Sequence, residues 1–254
     1  MKEDEIVYDP EQIAQDHINI MLEDYESGVL DSYFSDIELS SENINPTLEK
    51  SFMSKENLDW ITPESLKEKV ILVDCDGVLL DWIHSFDLWM HENGYPVKDA
   101  SAYRAGDRYN LKNAYQMIEW FNQSAMMGFL PPFRDAIHYV QKLHREHGFV
   151  FHCITSMSDN RYSQKLRVMN LEKLFGETVF EKYVFLPCGA EKVEALADYK
   201  NTNCYWVEDK TSNAEDGLDA GLNSILIAHD HNADYKGDAV RVENWREIYN
   251  LIAN

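Results

Sequence analysis

From residue 70 onward, short unbroken apolar runs alternate with longer segments whose apolar positions recur every three or four residues. Runs of β-branched and large aliphatic residues with no polar interruption are the mark of strands buried on both faces, as in a parallel sheet. Strands are expected over Val70–Asp74, Phe149–Thr155, Tyr183–Leu186, Cys204–Glu208, Ser224–Ala228 and, more weakly, Ala239–Val242. Helices are expected between them over Arg134–His147, Ser163–Phe175, Glu191–Tyr199, Asn213–Ala220 and Trp245–Ile252. Strict alternation of this kind predicts an α/β fold: a Rossmann-like three-layer parallel sheet with helices on both faces. One interval breaks the rhythm. Residues 78–131 are too long for a connection and carry helical patterns at Ser85–Glu92 and Lys112–Met126. They predict a small helical cap, at about 80–130, inserted after the first strand.

Residues 1–65 follow another pattern, with 17 acidic against three basic residues. Asp9-Pro10-Glu11 reads as a helix start, but apolar periodicity is loose there and fades between Ser35 and Asn57. The chain therefore divides into an acidic N-terminal extension, 1–65, and an α/β domain, 66–254.

Composition narrows the partners. A net charge of −22 over 254 residues argues against tracking a nucleic-acid backbone, which rests on many Lys and Arg contacts. It leaves room for one small anion held by a few cations. Cys75, Cys153, Cys188 and Cys204 show no paired metal spacing and read as reduced thiols. No apolar segment approaches the roughly 18 residues of a membrane span, and no signal-peptide pattern opens the chain. These features together lead to the expectation of a cytoplasmic protein.

Candidate chemistry lies where the strands end. The first strand runs into Asp74-Cys75-Asp76-Gly77. Two carboxylates that close resist joint ionisation unless a cation or hydrogen bonds compensate, so the pair asks for a metal. The second strand ends in Thr155-Ser156, whose hydroxyls and following N–H groups suit a phosphate. Lys165 lies near the start of the next helix, and Lys192 begins the one after the third strand. The fourth strand delivers Glu208-Asp209, then Thr211-Ser212-Asn213 as a capping turn. His229-Asp230-His231 stands late in the chain and reads as a solvated turn.

Across residues 68–252 these motifs resemble the haloacid dehalogenase superfamily of phosphohydrolases. Asp74-X-Asp76-Gly77-Val78 matches its first motif, Thr155 its second, Lys192 its third and Glu208-Asp209 its fourth, with Glu208–Gly221 carrying the family's spacing. Within it the chain is most similar to the 5′(3′)-deoxyribonucleotidases. Gly128-Phe129-Leu130-Pro131-Pro132, Thr155-Ser156 and Lys165 leading to Leu174-Phe175-Gly176 follow their pattern, although Glu208-Asp209 stands where that subfamily usually has two aspartates.

The resemblance implies a Mg2+-dependent phosphomonoesterase working through an aspartyl-phosphate. Asp74 would be the nucleophile and Asp76 the acid and base. Thr155, Ser156, Lys165 and Lys192 would bind the phosphate. Mg2+ would be held by Asp74, the main-chain carbonyl of Asp76, Asp209 and Glu208, the last directly or through water. The expected partner is a small phosphate ester, a (deoxy)nucleoside monophosphate first, with a sugar-phosphate phosphatase or phosphomutase as the alternative. A protein binding partners through its acidic extension is the third reading, and a homodimer is compatible with all three. In the cap, Phe86, Trp89, Trp120 and Phe121 read either as a wall for a base or as cap core, with Arg104, Arg108 or Lys112 available for polar edges.

Overall fold

The computed structural model describes residues 69–253. The acidic extension and its helix start at Asp9 lie outside the described residues.

Strand β1 (Val70–Val73) precedes a helical insertion made of α1 (Trp82–Glu92), α2 (Ala105–Tyr109) and α3 (Ala114–Asn122). A single 3-10 turn at Ala125–Gly128 closes the insertion. Then come α4 (Ala136–His147), β2 (Val150–Ser156), α5 (Arg161–Phe175), β3 (Phe180–Leu186), α6 (Val193–Ala197), β4 (Tyr205–Glu208), α7 (Thr211–Asp219), β5 (Asn223–Ile227), β6 (Val240–Val242) and α8 (Trp245–Ala253). The strands form one six-stranded parallel sheet in the order β3-β2-β1-β4-β5-β6.

The unbroken apolar run of β1 has its explanation in this order. Ile71, Leu72 and Val73 have no solvent exposure, because β1 is central and both its faces are covered. Ile71 and Val73 join the core formed with α4, α5 and α8 (Ala136, Val140, Leu143, Leu171, Phe175, Trp245 and Ile248). Leu72 points the other way, into a second core with Ile154, Leu196, Trp206 and Leu222. Burial of side chains this size stabilises by roughly 1.5–3 kcal/mol each. The chain reverses its direction of growth between β1 and β4, and in open α/β sheets the crevice outside the strand ends at such a point takes the ligand.

Departures from the expected boundaries have local causes. The pattern at Lys112–Met126 predicts one helix, but Ser124 interrupts it: its Oγ donates to Phe121 O (2.7 Å) and accepts from Met126 N–H (3.3 Å). Strand β3 begins at Phe180, earlier than its apolar pattern indicates, because it is an edge strand with Glu181 and Lys182 exposed. Helix α6 begins at Val193, leaving Lys192 as a buried residue at its cap. The candidate base-stacking wall is core: Phe86 and Phe121 have no exposure, lie 5.2 Å apart, and pack with Trp82 and Trp89.

Candidate active site at the carboxyl edge of the sheet

The register levels the ends of three strands. Val73 pairs with Cys153 of β2 and with Val207 of β4, and the Asp74 N–H donates to Val207 O at 2.9 Å. Asp74 and Glu208-Asp209, at the ends of neighbouring strands, therefore face each other. One carboxylate oxygen from each of Asp74, Glu208 and Asp209 lies within 4.8 Å of the others. Lys192 reaches this group from the other side of β1. Its Nζ lies 2.8 Å from Asp74 Oδ1 and 3.1 Å from Glu208 Oε1, over the Trp206 ring.

The three carboxylates differ in how far the protein compensates them. Glu208 is saturated. Its Oε1 accepts from Lys192 and from Asn213 Nδ2, and its Oε2 accepts from the N–H groups of Asp209 (2.6 Å) and Lys210 (3.2 Å). Burial opposes its charge, yet Lys192 and these donors prevail and hold its carboxyl below the usual glutamate value. Asp74 is pushed up to about 7, by burial first and then by Glu208 and Asp76, against the pull of Lys192. Asp209 is driven well above the carboxylate range by burial, Glu208 and Asp74. Two facing acids thus lack the positive charge their ionisation requires.

Asp76 goes elsewhere. Both its oxygens meet Arg167, a fully buried guanidinium that also reaches Cys75 Sγ (3.0 Å) and Met127 Sδ (3.2 Å). The Asp76 carboxylate is thereby separated from the Asp74, Glu208 and Asp209 group, and its main-chain carbonyl is what it has left to offer a cation. Burial works against the Arg167 charge, but Asp76 and Cys75 reverse this and raise its pKa further.

Thr155 lies at the end of β2 with its Oγ1 buried and without a hydrogen-bond partner among the described residues. Such orphaned groups are uncommon and call for an explanation. Ser156, one residue on, is engaged: its Oγ donates to Ala190 O (3.2 Å), tying β2 to the loop that carries Lys192. Lys165 is not brought to the cluster. It is exposed on α5, two residues before Arg167, so a turn of about 200° puts it on the opposite side of the helix.

Sequence reasoning missed four further residues, Arg167, Asn213, His229 and His231. Arg167 sits on the buried stripe of α5 with Ser163, Asn170 and Leu171, and a charge at that spacing demands a partner. Asn213 was read only as a helix cap, yet it bonds Glu208. The solvated turn expected at His229-Asp230-His231 is overturned. His229 Nε2 donates to Gly77 O (2.7 Å), His231 Nε2 donates to Asp209 O (3.0 Å), and neither ring is free in solvent.

Above the cluster the cap contributes Tyr103, whose ring packs on His231 with centroids 4.8 Å apart. Tyr103, Arg104, Lys210, Thr211, Ser212 and His231 line a hollow of about 390 Å3. Burial first, then Asp209, Glu208 and Asp74, raise the Tyr103 hydroxyl, so the hydroxyl stays protonated beside the acids. Arg108 is occupied within the cap by Asp87, and Lys112 is exposed on its surface.

The oxygen donors suit a hard divalent cation such as Mg2+, which prefers a few carboxylates and retains water. Asp74 and Asp209 are the donors the protein leaves undercompensated. Glu208, with both oxygens taken, is positioned to act through water.

No family model matches the chain. It is 23% identical over 195 residues, covering 72% of this chain and 69% of the other, to an uncharacterized 32.4 kDa protein from the gp30–rIII intergenic region of enterobacteria phage T4. Solved structures share its architecture. A haloacid dehalogenase-like hydrolase from Streptococcus pneumoniae aligns with a TM-score of 0.53 at 16% identity, covering 73% of this chain and 98% of that one. A predicted phosphatase from Clostridium acetobutylicum gives 0.52 at 16% over the same shares. An L-2-haloacid dehalogenase from Xanthobacter autotrophicus gives 0.50 at 11%, again covering 73% and 98%. The six-stranded parallel sheet between helical layers is therefore the Rossmann-like fold of the haloacid dehalogenase-like hydrolases.

Proposed function

We propose that this protein is a Mg2+-dependent phosphomonoesterase that forms an aspartyl-phosphate on Asp74 and acts on nucleoside monophosphates. One observation carries the reading: Asp74 and Asp209 face each other at the switch point of the sheet, short of positive charge and beside Lys192, while the neighbouring strand β2 ends in a Thr155 hydroxyl with no partner among the described residues.

The proposed steps give each of these groups one role. An Asp74 oxygen attacks phosphorus, and the bond from phosphorus to the ester oxygen breaks. Asp76, in its protonated form, gives that proton to the departing oxygen. Water then attacks phosphorus, Asp76 takes the water's proton, and Asp74 is released. Arg167 orients Asp76 throughout. Lys192 and the Thr155 hydroxyl hold the phosphoryl oxygens, where fixed donors in a buried site count most. Mg2+ bound by Asp74 and Asp209 would offset the acidic charge and polarise the phosphoryl group.

Neighbours of this fold include both a predicted phosphatase and a dehalogenase. Asp76 favours the phosphate ester. A halide departs without a proton, whereas an alkoxide needs one, and a second aspartate such as Asp76 would supply it. The nucleotide assignment is supported by the hollow under Tyr103, which joins an aromatic ring to the cations Arg104 and Lys210 beside Asp209.

A phosphate-release screen tests the reading. With Mg2+, dTMP, dUMP and dCMP are expected to be hydrolysed faster than hexose phosphates, and chelator should abolish release. Asp74→Asn is expected to lower kcat by about 10^3-fold or more. Wild-type turnover in that variant would rule out the covalent route. A preference for sugar phosphates would leave the chemistry standing and remove the nucleotide.

A further inference from the structure

Beside the carboxylates lies a second group whose two histidines the phosphatase steps do not use. One ligand atom from each of Asp209, His229 and His231 lies within 4.8 Å of the others. The three come from two strand ends: Asp209 follows β4, and the histidines follow β5. We propose that Asp209, His229 and His231 form a second divalent-cation site, selective for a nitrogen-preferring transition metal of the Zn2+ class, and that it shares Asp209 with the carboxylate cluster.

The local construction favours a ligand site over a fortuitous turn. His231 Nε2 is 3.5 Å from Asp209 Oδ2. The two imidazoles stack on each other at 5.1 Å, between Phe133 on one side and Tyr103 on the other. Asn232, almost fully buried, fixes the loop. Its Nδ2 donates to Asp209 O and Ile227 O, each at 2.8 Å, and its Oδ1 accepts from His229 N–H (3.0 Å). Gly77 keeps the intervening space open. A Cβ there would lie 2.6 Å from Asp209 Oδ2 and 3.3 Å from His229 Nε2, and the residue has φ +75°.

Chemistry separates this site from its neighbour. Asp74 and Asp209 offer oxygen alone and suit Mg2+, whereas imidazole suits Zn2+, Ni2+, Cu2+ or Fe2+. In the cation-free arrangement both Nε2 protons go to main-chain carbonyls, Gly77 O and Asp209 O. To accept a cation, each neutral ring carries its proton on Nδ1 and turns its Nε2 away from the carbonyl toward the cation, without net loss of a proton. The surrounding acids supply the attractive field.

Metal binding without any phosphate ester tests the site, so its outcome is separable from the phosphatase reading. Co2+ is titrated into the metal-free full chain and followed by visible absorbance, with Mg2+ binding followed by calorimetry. The His229→Gln/His231→Gln variant keeps side-chain N–H groups for the two carbonyls, and circular dichroism reports its fold. Co2+ affinity in this variant is expected to fall about tenfold or more, with Mg2+ affinity little changed. In Asp74→Asn the pattern should reverse. Unchanged Co2+ affinity and spectrum in the histidine variant would overturn the proposal, as would loss of Co2+ in Asp74→Asn alone. Should the histidine variant fail to fold, paramagnetic resonance of Cu2+ on the wild type decides. Couplings to directly bound nitrogen support the site, and their absence overturns it.

Discussion

Two regions of this molecule bury charge, and they do it in opposite ways. In the cap, Arg108 is nearly buried and fully answered. Its Nε donates to Asp87 Oδ1 at 2.7 Å, its second nitrogen reaches Asp87 Oδ2, and Tyr109 donates to the same carboxylate. At the sheet edge, Lys192 is more deeply buried than Arg108 and meets Asp74 and Glu208 of three crowded carboxylates. The Thr155 hydroxyl on the neighbouring strand β2 has no hydrogen-bond partner among the described residues. The cap network is closed and needs nothing more. The edge network is open and asks for an external cation and an anion. Buried charge alone does not mark a functional site; buried charge left uncompensated does.

The first way to break the comparison removes one cation from each region. Lys192→Met is expected to lower kcat by about 10^2–10^3-fold, because the phosphoryl group loses a fixed buried charge. Arg108→Met removes the ion pair and leaves Asp87 with the Tyr109 hydroxyl, and is expected to cost about 2 kcal/mol of stability, with a far smaller effect on kcat. Urea denaturation and steady-state kinetics on the same preparations check both. Equal kinetic losses would erase the distinction.

A smaller effect concerns pH. Asp74 has a folded-state pKa of about 7 against 3.8 when unfolded. Between those values the folded chain holds a proton that the unfolded chain has released, so this residue's contribution to stability falls as pH rises from about 4 to 7. In chelator, Asp74→Asn should therefore be more stable than wild type by an amount that grows across this window. Denaturation at pH 5 and pH 8 measures it. A gain that shrinks with rising pH would contradict the assignment.

The smallest effect is expected at Thr155. Thr155→Val removes a hydroxyl that has no partner among the described residues, so stability should change by less than about 0.5 kcal/mol. Loss of its bond to a charged oxygen should lower kcat/KM about tenfold, or 1.4 kcal/mol. Thermal unfolding and kinetics separate the two.

The same contrast explains what was legible in the sequence. Asp74, Lys192 and Glu208-Asp209 could be read because each follows or faces a short apolar run whose end a parallel sheet places at one edge. The sheet itself was legible for the same reason: continuous apolar strands admit little else. Lys165 was misplaced because a lysine near a helix start gives no indication of which face it occupies; Arg167, two residues on, takes the inward face. His229 and His231 were misread because their partners, Gly77 O and Asp209 O, are main-chain atoms from distant loops, and no side-chain pattern announces them. The cap helices were anticipated in kind, but the Arg108–Asp87 pair that closes the cap joins positions whose meeting depends on tertiary packing.

The sheet edge is short of positive charge, and the phosphatase reading requires a divalent cation to supply it. Thermal unfolding of the metal-free full chain at pH 8 across a Mg2+ titration tests this directly. A saturable rise in Tm is expected, following the binding isotherm, and Asp74→Asn should remove most of it. A Tm indifferent to Mg2+ in the wild type, or an equal rise in Asp74→Asn, would contradict the claim.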